Sequence, residues 1–598
     1  MFSRIISYLP SARILLDPAA LRVLIRRSEF GLIVAAAMVG VLAGFAVAGM
    51  SWVSHELHQL IFKIEAGERL SSSVNTDRLT ILAAPIVGGA VMGLVFLILR
   101  KWRKKPMVDP IEANALHGGR LSLTDSILVA VQNLISNGFG ASVGLEAGYT
   151  QLSSGIASKI GFLLQLRRSD LRILVGCGAA GAIAAAFNAP LTGAFYAFEL
   201  IIGTYTIISL APVVVSALTA TIVTRLFVGD AFMIDVGDFG AVVPADYVPA
   251  IVLGMFCAGG GILLMKGVTF VEELARKSSI SPVFRPALGG IAVGLLALVD
   301  QQVLAAGHGA LHLNLNQSMT VFALLSILLL KSVASAISIG SGFRGGLFFA
   351  SLFLGALLGK LFAYAAPYVF TEATVTPVIY AVVGMSALSV AVIGGPLTMT
   401  FLALEVTGDF PITALALAAV ITSSVTVRST FGYSFATWRF HLRGESIRSA
   451  HDIGWIRNLT VERMMRADVR TAPVTMSIEE FRKQFPLGAT QRVILVDEGE
   501  KYAGMILLPD VYAAPTEDAE KKEKPTLASF IRYRNDVLLR SMNAKQAAAM
   551  FDKLEAEALA VVNNQIERKV IGLLTESHTL RRYSEELDRR RREMSGEI

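Results

Sequence analysis

Glu146 is an isolated carboxylate in an apolar, glycine-rich stretch that begins "GASVGLEA" at Gly140. A charge in such surroundings is costly inside a membrane and marks a functional position. A similar stretch, "GFRGGLFF", begins at Gly342. A second matched pair agrees with the first: "PLTGAFYAFE" from Pro190 and "PLTMTFLALE" from Pro396 share Pro, Leu, Thr and Glu at one spacing. The offsets, 202 (140 to 342) and 206 (190 to 396), are close, so two halves of one fold recur in the same order. Each proline follows an apolar run that breaks off, at Asn188-Ala189 and at Gly394-Gly395. Broken helices at matched positions of two halves point to the binding site of a transporter. The N–H groups at a helix start need a partner that lipid cannot supply. An anion can supply it, aided by the positive end of the helix dipole. Gly140, Gly144, Gly342, Gly345 and Gly346 let the backbone approach a small ion closely. Close helix packing is the competing use of such glycines, but two runs at matched positions favour the ion.

Other reactive residue types give less. His308 and His312 stand four apart in "HGALH", without the Glu of a zinc protease motif, and no metal site is expected. Cys177 and Cys257 lie in Gly/Ala-rich apolar runs and read as small packing residues. No catalytic cluster is evident, so an enzyme is not expected.

The elements that carry these residues are membrane helices. Of the 598 residues 54% are hydrophobic and 17% charged, against about 25% charged in soluble chains. Gly31–Val53 and Thr80–Leu99 are each long enough to span a bilayer. Arg22, Arg26 and Arg27 precede the first, and Lys101, Arg103, Lys104 and Lys105 follow the second. Both ends of this hairpin therefore face the cytoplasm. Ser3–Arg27 is too basic and broken for a cleaved signal. The net charge of +7 fits basic loops beside a membrane, since no aromatic-interleaved basic patch suggests nucleic acid. Charges become dense after Arg439, where a soluble part begins.

Three long segments, Gly178–Glu199, Leu328–Gly359 and Gly384–Phe410, together with Val143–Gln151, resemble signatures of the CLC chloride channel and transporter family, in the family's order. The resemblance covers roughly Arg22 to Gly444. It implies an all-α polytopic fold of inverted repeats, and a homodimer in the bilayer with one anion pathway per subunit. It also implies roles. Glu146 matches the external gating glutamate, which occupies an anion site and leaves it when protonated. Leu347 and Phe348 match the positions whose backbone amides hold the central anion, and Tyr433 matches the tyrosine that closes the inner end. Met107 falls where the family's first anion loop has serine, and it offers no good donor. Leu145, Ala147 and Gly148 replace the usual Arg, Gly and Pro around Glu146, and Ala350 replaces a proline. Leu200 stands where many exchangers have a proton-accepting glutamate. Glu199, one residue earlier, should point elsewhere on the helix. Proton coupling is therefore open. Methionine at the serine position resembles the fluoride-exporting branch, so chloride, fluoride and nitrate all remain candidates.

From Leu459 the pattern alternates short helices and strands. Two units, "VERMMRADVRTAPVTMSIEEFRKQFP…RVILVDEGEKYAGMILLPDVY" and "ASFIRYRNDVLLRSMNAKQAAAMFDKL…ALAVVNNQIERKVIGLLTESHTL", resemble a pair of CBS motifs. Such pairs bind adenine nucleotides through a Ser/Thr and an Asp three residues on. Asp510 follows Leu507, and Thr575 precedes His578, so each half-site lacks one member and weak or no nucleotide binding is expected. The closing basic tail reads as a solvated helix, with contact to acidic lipid heads as the alternative. The expectation is a membrane anion transport unit over 1–444 and a cytoplasmic CBS-pair regulatory unit over 445–598, without a resident cofactor. The competing reading is a CBS sensor on a passive membrane anchor.

Overall fold

The computed structural model describes residues 29–65, 67–73, 76–102, 107–228, 242–371, 376–442, 459–497, 499–513, 526–582 and 584–585. The chain divides into two compact units, Met1–Asp452 and Ile453–Ile598. The basic segment before the first span, residues 103–106 after the second, the expected 444/445 boundary and most of the basic tail lie outside the described residues.

The first unit is helical. Among the described residues, eight helices are long and apolar enough to cross a membrane. The chain opens with α1 (Glu29–Phe62) and α2 (Arg78–Trp102). It continues with α3 (Pro110–Leu116), α4 (Leu123–Gly138) and α5 (Glu146–Leu163). Next come α6 (Arg168–Phe187), α7 (Pro190–Tyr196, running into a π turn over Ala197–Ile202) and α8 (Ile207–Val228). The second half holds α9 (Tyr247–Lys277), α10 (Arg285–Val299), α11 (His308–Asn316), α12 (Val321–Ser341) and α13 (Phe348–Val369). It closes with α14 (Pro377–Ile393), α15 (Pro396–Thr407), α16 (Phe410–Thr430) and α17 (Phe435–Leu442).

The matched motifs break in matched ways. α6 ends at Asn188 and α14 at Gly394, both left-handed (φ 54° and 90°), and Pro190 and Pro396 each open the next helix. Proline is at home there because its missing N–H is one the first turn cannot use. The freed N–H groups are satisfied reciprocally across the repeats. Glu199 of α7's π extension accepts from the N–H groups of Leu397 and Thr398, each at 2.9 Å. Glu405 of α15 accepts from those of Leu191 and Thr192, at 2.7 and 2.9 Å. Each glutamate also takes the hydroxyl of the threonine it caps. A carboxylate at a helix start is held by both the hydrogen bonds and the dipole. Glycine also serves as packing residue elsewhere: a Cβ on Gly355 of α13 would stand 2.3 Å from the Gly384 carbonyl of α14, so only glycine admits this crossing.

The second unit is α/β. The first half has β1 (Thr471–Pro473), α18 being the short turn Val461–Met464 before it, then α19 (Ile478–Gln484), β2 (Arg492–Val496) and β3 (Tyr502–Leu507). After α20 (Leu508–Tyr512) the second half repeats this with β4 (Leu538–Leu539), α21 (Ala544–Leu554), β5 (Ala558–Val562) and β6 (Val570–Thr575). In each sheet the first strand is parallel to the second and the second antiparallel to the third, with a register shift at Leu495/Val496 and again at Val561/Val562. The halves exchange entry segments: Arg532 bridges to Met505 of β3, and Arg466 to Leu573 of β6. Ile494, Tyr502, Met505, Ala560 and Val562 form a core shared between the sheets.

Candidate functional site

Two helix starts meet at the centre of the first unit. The loop before α5 and the loop before α13 pair as an antiparallel bridge, with Gly144 and Gly346 exchanging N–H···O bonds of 3.0 and 3.2 Å. Gly140 and Gly342 turn the chain into these loops at φ +86° and +115°, conformations that disfavour a side chain. The loops are fastened by polar side chains of α4. Asn133 donates to the carbonyls of Gly144 and Arg344 and accepts from the N–H of Gly148. Ser136 accepts from the N–H of Arg344, and Asn137 donates to the Val143 carbonyl. Ser142 is bound from α12 by Ser335 and Ser338. These bonds satisfy the irregular backbone at membrane depth.

Glu146 is the first residue of α5, and its side chain is 4% exposed. The N–H groups of Phe349, in the first turn of α13, and of Glu146 itself approach its carboxylate. Gly144 makes room for it: a Cβ there would stand 1.9 Å from Oε2. Glu146 lines two cavities. The larger, about 910 Å³, extends past His55, His58, Arg69, His308 and His312. The smaller, about 200 Å³, lies beyond it and is lined by Met107, Leu200, Leu347 and Phe348. Leu347 caps α13 and Phe348 begins it, so their N–H groups lack intrahelical acceptors.

Four of the expected residues therefore gather around Glu146: Met107, Leu200, Leu347 and Phe348. Tyr433 does not line either cavity. Its hydroxyl meets His441 Nδ1 at 3.2 Å and its ring packs against Phe431 and Trp438. Gly432, at φ +85°, turns the chain out of α16, and Phe435 two residues on supplies the wall instead. The tyrosine that lines the smaller cavity is Tyr196 of α7. Arg344 is a second residue the sequence reading passed over. Its guanidinium reaches Met107 Sδ at 3.8 Å in the smaller cavity. Glu199 is turned away into its cap on α15.

In the second unit Asp510 forms an ion pair with Arg532 at 2.8 Å. Thr575 closes β6, and its hydroxyl accepts weakly from the His578 N–H at 3.4 Å.

Broken helices in two inverted repeats, meeting at paired helix starts, define a membrane transport protein. A family profile described as "Voltage gated chloride channel" matches residues 88–428, and the chain belongs to that family. It is 32% identical over 354 residues to a putative chloride channel protein, ClcB-like, of Ralstonia nicotianae, covering 58% of this chain and 82% of the relative. It is 28% identical to the voltage-gated ClC-type chloride channel ClcB of Escherichia coli, over 66% of this chain and 95% of the relative. Among solved structures, a slow cyanobacterial Cl⁻/H⁺ antiporter shares the fold (TM-score 0.62, 22% identity, 69% of this chain and 97% of that one). A eukaryotic CLC transporter shares it over 92% of this chain and 97% of its own (TM-score 0.58, 17% identity).

Proposed function

We propose that the first unit carries chloride or a similar small anion across the membrane, through one pathway in each subunit of a homodimer, and that it is a transporter or channel rather than an enzyme. The observation that carries this reading is the position of the Glu146 carboxylate, between two cavities and against the first turn of α13. Ionised, it fills the place that the helix dipole and free N–H groups would offer an anion. Protonated, it loses the charge that competes. The N–H groups of Leu347 and Phe348 hold the anion on the other side of it, and Arg344 supplies the polar partner that Met107 does not. Tyr433 stands outside both cavities, against His441.

The α/β unit acts as a cytoplasmic CBS pair that regulates the pathway, with little or no nucleotide bound. Leu200 faces the smaller cavity and cannot carry a proton, so any proton coupling runs through water or another group. Met107 supports a second reading, a fluoride-selective exchanger.

Purified protein in liposomes tests this directly. Chloride, nitrate or fluoride should leave loaded vesicles only when the protein is present, and a pH dye reports whether protons move with them. A folded dimer that moves none of the three contradicts the proposal.

A further inference from the structure

Four of the chain's eight histidines, His55, His58, His308 and His312, line the larger cavity together with Arg69. Glu146 is the one carboxylate on that wall among the described residues. The paired helix starts at Glu146 and Phe348 do not require such a concentration of basic groups.

Arg69 sits in the connection between α1 and α2, at the entry to the 3₁₀ turn Leu70–Ser72. Ser72 donates to the Arg69 carbonyl from both its N–H and its hydroxyl, at 2.9 Å each. Ser71 accepts from the Ala310 N–H at 3.1 Å, which ties the turn to the start of α11. A Cβ on Gly309 would come within 2.9 Å of Arg69 Cβ, so the connection lies directly on that first turn. The Arg69 guanidinium has no hydrogen bond or ion pair with any described residue, and it stands within electrostatic range of His58, His308 and His312.

His308 is the first residue of α11, a helix of 9 residues whose Gly307 cap is left-handed and offers no side-chain acceptor. Its ring stacks on Phe349 with centroids 3.6 Å apart. Neither ring nitrogen has a hydrogen-bond partner among the described residues, although the ring lines the cavity. Phe349 and Glu146 line the same cavity. His58, by contrast, is committed: its Nε2 meets the Asn137 carbonyl at 2.9 Å. Lys331 braces the chain leading to α11, donating to the carbonyls of Val303 and Ala305 at 2.9 and 2.8 Å.

We propose that Arg69, the His308 imidazole and the N–H groups of His308 and Gly309 at the start of α11 form a separate seat for a small inorganic anion in the larger cavity, from which the ion is passed to the place Glu146 vacates. This rests on the transport reading above. A permanent charge, a ring N–H donor and a helix start line one cavity. A charged wall also concentrates anions ahead of the narrow step.

The test compares Arg69→Gln, Arg69→Lys and His308→Gln with the unmodified full chain in liposomes, reading rate against chloride concentration from each side. Arg69→Gln should raise the half-saturating chloride about tenfold, the factor for a unit charge ~6 Å away at an effective dielectric near ~40. The rise should be confined to entry through the larger cavity, with the maximal rate kept. Arg69→Lys should restore most of it, and His308→Gln should give a smaller rise on the same side. An unchanged half-saturation in Arg69→Gln, or an equal rise from both sides, overturns the seat. Bromide located by anomalous diffraction in crystals of the full chain gives a readout independent of flux. A peak between Arg69 and His308 supports the seat even if the protein moves no anion, in which case the transport reading alone fails. Bromide beside Phe348 only, or at neither place, overturns it.

Discussion

Gly144→Ala should hold the pathway open. The added Cβ would lie 1.9 Å from Glu146 Oε2, 2.8 Å from Cδ and 2.9 Å from Oε1. That is about 1.5 Å short of ordinary van der Waals contact. All three obstructing atoms belong to one side chain, so the carboxylate moves and the backbone stays. Gly144 is not left-handed, so alanine fits its backbone, and the bridge to Gly346 and the bond from Asn133 involve only main-chain atoms of residue 144. Displacing the carboxylate from the start of α13 takes its charge away from the positive end of the helix dipole, an interaction worth about 1–2 kcal/mol in a buried setting. That is a factor of roughly 5–30 in its competition with an anion. Anion efflux from liposomes should therefore rise about tenfold on the alkaline side of the pH profile and change little on its acid side, where the competing charge is gone. Gly259→Ala in α9 is the control. Its Cβ would meet nothing within 4 Å, so flux and pH dependence should be kept. A folded Gly144→Ala dimer with the original pH dependence would refute the reasoning.

Asn133→Ala removes the shared partner of two carbonyls and one N–H, the Arg344 carbonyl half-buried and the other two groups buried. It should destabilise the first unit by about 3–5 kcal/mol, visible as a lower thermal transition in detergent. A shift no larger than that of an exposed control such as Lys159→Ala would count against the fastening role. Arg344→Gln should raise the half-saturating anion concentration about five- to tenfold from the side of the smaller cavity, since a unit charge is lost there. An unaltered concentration dependence would remove Arg344 from the pathway. Adding about 1 mM ATP to the full chain should leave its thermal transition in place, because ligand binding to the folded state would raise it. A saturable rise at micromolar ATP would show that Asp510 and Thr575 complete a nucleotide site after all.

Much of this architecture is legible in the sequence because the repeats impose visible spacing. The 202- and 206-residue offsets locate both pairs of helix starts, and the structure joins one pair through Gly144 and Gly346. The other pair resolves into reciprocal caps by Glu199 and Glu405, which the shared Pro-Leu-Thr…Glu spacing hints at but cannot assign, since either glutamate could cap its own repeat. The pathway lining is less legible. Tyr433 follows a left-handed glycine, and the direction of the turn, which sends its ring toward His441, is a tertiary outcome. Tyr196 lies inside a recognised motif, yet only the packing of α7 shows it at the cavity. Asn133, Ser136 and Asn137 did leave a signal, polar residues at helical spacing within the apolar α4, and their partners are the carbonyls and N–H groups that broken helices must leave unpaired. Arg69 and His308 are 239 positions apart (69 to 308), and no local pattern joins them.

The central claim is that Glu146 competes with the transported anion, and one measurement addresses it most directly: the pH profile of anion flux in Glu146→Gln against the unmodified protein, both as folded dimers in liposomes. Glutamine keeps the shape of the protonated acid and removes its charge. The unmodified protein should move anions faster as pH falls and the carboxylate is neutralised. Glu146→Gln should be fast at every pH, with a flat profile and no associated proton movement. A Glu146→Gln profile that rises toward acid as steeply as the original would contradict the account.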